Sequence, residues 1–166
     1  MIRFLEGVLE EKKDLGVLVN VHGVGYGLSC SQFTLEELPA TGEKVRLLVY
    51  HHITDSDQRL FGFNSTAEKI LFEQLITVKG VGPKLGVTIL SGMPINELMS
   101  AIINGQAVIL SKIPGIGKKS AERIILELRE KVADTPVRGE GVEGGGMRGF
   151  NNVAMEAPVT PRTSAG

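Results

Sequence analysis

The chain has 166 residues, 42% of them hydrophobic, with 18 Lys/Arg against 19 Asp/Glu, a single cysteine and no tryptophan. This is the composition of a soluble globular protein of one domain or two small ones, with no run of roughly 18 apolar residues for a membrane span and no signal-peptide layout in Met1-Ile2-Arg3-Phe4-Leu5-Glu6. Cys30 alone can form neither an internal disulfide nor a metal site, so no metal or other cofactor is expected and a reducing cytoplasm fits.

The net charge of −1 excludes a general polyanion trap, but the charge is segregated. Residues 1–63 carry six Lys/Arg and nine Asp/Glu, residues 64–134 nine and seven, and residues 135–166 three of each. A mildly basic middle leaves room for a local phosphate grip.

Residues 1–63 read as strands from their β-branched content and turn punctuation. Ile2 to Glu11 and Leu15 to Val21 form an expected hairpin around Lys12-Lys13-Asp14. A turn at His22-Gly23-Val24-Gly25 leads to a short strand ending at Cys30. Thr34-Leu35-Glu36-Glu37 has capping-box spacing for a short helix that stops at Pro39. Lys44 to Ile53 and Gln58 to Phe63 complete five strands, the count of a compact OB-fold barrel. Phe61 and Phe63 alternate across Gly62, so one of them is expected to fill the core.

At Asn64 the period changes. Ser65-Thr66-Ala67-Glu68 is a second capping box, and from there to Asp134 the pattern is helical, broken by Gly and Pro. Pro94 suits the first turn of one helix. The last helix carries an apolar stripe of Ala121, Ile124, Ile125, Leu128 and Val132. Residues 135–166, rich in Gly and Pro, read as a disordered linker or tail. The expected fold is therefore α+β: an OB-fold domain over 1–63, an all-α domain over 64–134, and a flexible tail.

The helical part contains a repeat. Lys79-Gly80-Val81-Gly82-Pro83-Lys84 returns as Pro114-Gly115-Ile116-Gly117-Lys118-Lys119, each between helices, with Leu75 matching Leu110 and Ile89-Leu90 matching Ile124-Ile125. Each copy reads as a helix-hairpin-helix motif. Paired glycines permit backbone angles closed to other residues and let a phosphate approach without meeting a Cβ. Val81 and Ile116 point inward and pin the turn. The next helix opens with free N–H groups and the positive end of its dipole, an anion site. Lys84 and Lys119 stand two residues after the second glycine in both copies, with Lys118 beside them and Arg123 one turn on. The alternative is a pair of plain helix–helix turns, which repetition with the same Lys offset disfavours. Backbone grips of this kind carry no base information, so little sequence preference is expected.

Other patterns carry less. Gly115 to Ser120 lacks the spacing of a nucleotide phosphate loop, and Gly23-Val24-Gly25-Tyr26-Gly27 misses the dinucleotide fingerprint. His22, His51 and His52 lack metal-ligand spacing. Two other functions remain open: a helix-hairpin-helix DNA glycosylase, disfavoured by the repeated hairpin and the scarcity of residues for a base pocket, and a generic duplex-binding module.

The opening Met1-Ile2-Arg3-Phe4-Leu5-Glu6-Gly7, the stretches His22-Gly23-Val24-Gly25-Tyr26 and Leu60-Phe61-Gly62-Phe63, and both hairpins are together similar to the RuvA family, Holliday-junction-binding subunits of the bacterial RuvAB branch-migration complex. The resemblance runs from Met1 to about Asp134. It implies an OB-like domain and a double-hairpin domain assembled as a homotetramer, one or two per four-way junction, in recombination, DNA repair and the SOS response. It implies RuvB as the ATP-hydrolysing motor partner, admits the RuvC resolvase as another, and makes this chain a non-catalytic subunit. The family's acidic pin would fall on Asp55 and Asp57, here separated by Ser56 where the family has adjacent acids. The family's third helical domain, which contacts the motor, has no counterpart in residues 135–166; the Gly/Pro-rich stretch stands about where the linker to it lies.

Overall fold

The computed structural model describes residues 1–135, so the expected tail lies, from residue 136 on, outside the described residues. Five strands, β1 (Phe4–Lys13), β2 (Gly16–Val21), β3 (Val24–Cys30), β4 (Lys44–Ile53) and β5 (Gln58–Phe63), close a barrel in the order β1-β2-β3-β5-β4. All pairings are antiparallel except β3 with β5, which meet only at Ser29↔Phe61 and Cys30↔Gly62. Alternate residues of each strand fill the barrel, among them Leu9, Val19, Leu47 and Val49, all essentially buried.

Between β3 and β4 lies a short helix, α1 (Gln32–Glu37). Its cap is not the expected Thr34 but Ser31, whose hydroxyl accepts from the Thr34 N–H at 3.1 Å. Thr34 is drawn into the helix because its own hydroxyl is spent elsewhere, on Glu68. The first hairpin is shifted: β1 starts at Phe4 rather than Ile2 and runs to Lys13, which tightens the turn. The ladder continues through Lys12↔Val17 and Lys13↔Gly16, and the turn is Asp14-Leu15, with Asp14 at φ 51°. Asp is among the few residues that tolerate that left-handed conformation.

Five helices follow: α2 (Thr66–Leu75), α3 (Pro83–Gly92), α4 (Ile95–Ile103), α5 (Ala107–Leu110) and α6 (Lys118–Ala133). Ser65 caps α2, accepting from the Glu68 N–H at 3.1 Å, whereas Pro94 stands just before α4 rather than in its first turn. The stripe on α6 is buried at Ala121, Ile124, Leu128 and Val132 and only half-buried at Ile125. Among the described residues, no single helix is long and apolar enough to cross a membrane.

Two devices lock barrel to helices. The first is aromatic. Both Phe61 and Phe63, not one, are buried outside the barrel, because Gly62 takes the inward position against Cys30, Leu28 and Leu47. The two rings pack on Phe72 of α2 with centroids 5.4 and 4.9 Å away, and Tyr50 of β4 adds a third contact at 5.4 Å. The second is polar. The buried Glu68 carboxylate accepts from the hydroxyls of both Ser31 and Thr34, and the Asn64 N–H donates to Thr34 at 3.2 Å. The full capping box expected at Ser65–Glu68 is thus half made: the serine caps, while the glutamate reaches across to α1. Burial outweighs these donors and holds the Glu68 carboxyl above its ordinary value. Burial, with Glu68 nearby, pushes the Cys30 thiol up to about 12 against the lowering contact with the Gly62 backbone.

Candidate nucleic-acid interface

The two hairpins have the same backbone. Gly80 takes φ 92° and Gly115 φ 90°, left-handed values that favour glycine. The residue that follows is buried in each copy, Val81 at 6% exposure and Ile116 at 4%, and its N–H returns to the residue three back, Val78 or Ile113, at 2.9 and 3.0 Å. That contact fixes the turn to the helical core. The second glycine is extended, with φ −92° and ψ 178° at Gly82 and φ −89° and ψ −179° at Gly117, and neither helix start has a side-chain cap. The hairpin repeat therefore holds in three dimensions down to matching dihedral angles.

The consequence is a set of exposed donors. Among the described residues, no protein group accepts from the N–H of Gly80, Gly82, Lys84 or Leu85, nor from those of Gly115, Gly117, Lys118, Lys119 and Ser120. Gly80, Gly82 and Gly117 have open space where a Cβ would stand. Lys84, Lys118, Lys119 and Arg123 are exposed at the same helix starts. Unpaired amides at a helix N-terminus with cations beside them form a site for oxygen anions.

The hairpins touch. A Cβ on Gly115 would lie 3.1 Å from Leu85 of α3, so the second turn rests on the helix that follows the first. Gly82, Pro83, Lys84, Leu85, Thr88, Pro114 and Gly115 form one wall of a cleft of about 700 Å³. His52, Asp57 and Arg59, at the β4–β5 end of the barrel, form the other. The hairpin residues Gly80, Val81, Ile116, Gly117, Lys118, Lys119 and Arg123 do not line this cleft.

The two acids sit in the turn between β4 and β5, closed by a Thr54 N–H to Asp57 carbonyl bond of 2.8 Å. They are not equivalent. Both are exposed, but Asp57 lines the cleft and accepts from Arg59 Nε at 2.6 Å, whereas Asp55 lies outside it. His52, Arg59 and Thr88 are cleft residues that sequence reasoning missed. The only signal was the Asp57–Arg59 spacing, an acid and a base two residues apart across the start of β5. Among the described residues, no cluster of three His, Cys, Asp or Glu could hold a metal ion.

Comparison with known proteins agrees with both halves. Residues 1–62 match the family described as RuvA N terminal domain, and residues 72–130 match the SAM-like Helix-hairpin-helix tandem. The chain is 47% identical over 132 residues to the Holliday junction branch migration complex subunit RuvA of Geobacter metallireducens, covering 80% of this chain and 66% of that protein. The protein of the same name from Methylobacillus flagellatus is 41% identical over 157 residues, covering 95% of this chain and 77% of its own. That of Acidovorax sp. is 46% identical over 139 residues, covering 83% and 73%. The chain thus spans just under two thirds of the Geobacter relative's length and more of the other two.

Proposed function

The chain belongs to the RuvA family, and from that premise we propose that it binds four-way DNA junctions by shape and phosphate position, as the DNA-gripping subunit of a branch-migration complex. The observation that carries this reading is the duplicated hairpin: two sets of unpaired amides, each with a lysine at the same offset, held against each other. Gly80, Val81, Gly82 and Lys84 form one grip; Gly115, Ile116, Gly117, Lys118, Lys119 and Arg123 form the other.

Each grip takes a backbone phosphate. The amides donate to its oxygens, the helix dipole favours its charge, and the lysine adds a mobile cation. Two such contacts fix the register of a duplex arm without consulting its bases. A homotetramer, one or two per junction, presents the grips to four arms. The turn bearing Asp55 and Asp57 then gathers negative charge near the centre, where it keeps exchanging strands apart. On this reading, residues 1–63 are the assembly and pin domain and residues 64–134 the DNA-binding domain. ATP hydrolysis belongs to a RuvB motor, and a RuvC resolvase can share the junction.

A gel shift settles the choice between this and the open alternatives. A four-way junction and a linear duplex built from the same strands are compared at matched salt, then with junctions of unrelated sequence. Strong preference for the junction, with less than about tenfold spread among sequences, is expected, since one good base contact alone is worth about 1–3 kcal/mol. Equal binding to the linear duplex would make the chain a generic duplex module, and release of a free base would make it a glycosylase.

A further inference from the structure

Arg59 is a cation that neither hairpin supplies. It stands on β5 in the barrel wall of the cleft, facing a hairpin wall that contributes Gly82, Pro83, Lys84 and Gly115. The side chain is 58% exposed, and its Nε is committed to Asp57. No hydrogen bond engages its Nη donors among the described residues. With Lys84 on the opposite wall, the cleft sets two cations against the single carboxylate of Asp57. The empty guanidinium fork matches a phosphate, which it can take through two parallel N–H···O bonds.

We propose that Arg59 is a phosphate-binding residue of the junction site and that Asp57 governs it. Without DNA, Asp57 orients and partly neutralises the guanidinium. With DNA bound, a strand phosphate between Arg59 and the first hairpin takes the Nη donors, and Asp57 acts on the nucleic acid through Arg59. The acidic turn is thereby divided: Asp55, which forms no ion pair among the described residues, repels phosphate directly, whereas Asp57 sets the strength of a grip. An exposed ion pair is weak enough for this exchange, because solvent screens it and two side chains must be held in one geometry.

The inference rests on the junction reading, and the test separates the two. Junction affinity is measured by fluorescence anisotropy over a salt series for the full chain and for Arg59→Gln, Asp57→Asn and the double variant. Thermal melting checks that each variant folds. Arg59→Gln is expected to weaken binding about tenfold and to reduce the salt slope by about one per engaged subunit. Asp57→Asn is expected to tighten binding only while Arg59 is present. Unchanged affinity and slope for Arg59→Gln would overturn the proposal, as would equal tightening by Asp57→Asn in both backgrounds. A Lys84→Gln/Lys119→Gln variant is the reference: if it also leaves junction binding intact, the hairpin reading fails, and not merely this addition to it.

Discussion

The glycines of the hairpins allow binding to be separated from folding. Gly82 and Gly117 are extended, with open space at the Cβ position, so alanine enters without backbone strain or collision. Two small effects oppose each other. Alanine is a poorer N-cap than glycine by roughly 0.5–1 kcal/mol, while restricting the unfolded chain returns about 0.4–1 kcal/mol. The net change in stability for Gly82→Ala or Gly117→Ala is expected within about 0.5 kcal/mol. Binding is another matter, because the new methyl stands beside amides that a phosphate must reach. Losing one hydrogen bond to a charged acceptor costs about 1.5–3 kcal/mol, or roughly 10- to 150-fold in affinity per engaged site. Gly80→Ala is the contrast: at φ 92° it should destabilise the fold by about 1–2 kcal/mol whatever DNA does. Urea melts paired with junction gel shifts distinguish the cases. If Gly82→Ala and Gly117→Ala melted normally and bound the junction normally, the amides would not be the contact and the phosphate grip would have to be abandoned.

Three further outcomes are expected. The Glu68 carboxyl titrates above its ordinary value of 4.5, so the folded chain keeps a proton that the unfolded chain has lost; stability from this group is present below that value and declines as pH rises through the window above it. Urea midpoints against pH should fall more steeply for the parent than for Glu68→Gln in that window, and parallel curves would remove Glu68 as the cause. The Cys30 thiol, buried and pushed up to about 12, should resist alkylation at neutral pH and react when the barrel opens, as read by mass spectrometry across a urea series. Phe72→Ala should cost about 3–5 kcal/mol by calorimetry, since it removes the ring on which Phe61, Phe63 and Tyr50 all pack; a loss under 1 kcal/mol would show that barrel and helices do not depend on that cluster.

The hairpins were legible in the sequence because their determinants are local. A glycine forced to positive φ, a hydrophobe pinned inward and an uncapped helix start all lie within six residues, and repetition separated them from chance. The polar lock was not legible. Ser65 and Glu68 have the spacing of a reciprocal cap, but Ser31 and Thr34, over thirty residues away, supply buried hydroxyls that take the carboxylate first. From the sequence, only one of Phe61 and Phe63 is expected to fill the core, because no sequence period reveals a helix packed on the outside of a barrel, where both are buried. Arg59 was marked only by its spacing from Asp57, because its meaning comes from the hairpin across the cleft.

The division between local grips and distant supports bears on how selectivity arises. Each hairpin is closed by a local backbone bond, Val81 N–H to Val78 and Ile116 N–H to Ile113. Grips of that kind hold any duplex arm. What they cannot do alone is place charge at a fixed distance from the arm they hold. That is the work of the barrel, whose β4–β5 turn is carried to the cleft by the aromatic cluster, by the Glu68 network and by the Gln32 N–H, which donates to Ser91 of α3 at 3.0 Å. The α3 helix is the one that the first hairpin opens, so this last bond ties barrel to grip almost directly. If the hairpins take phosphates as proposed, a rigid joint converts two unselective contacts and an acidic turn into one rigid template, matched to strands that diverge rather than to a continuous helix. On the proposed function, affinity for DNA belongs to the hairpins, and preference for a junction belongs to the interface that fixes them against the barrel.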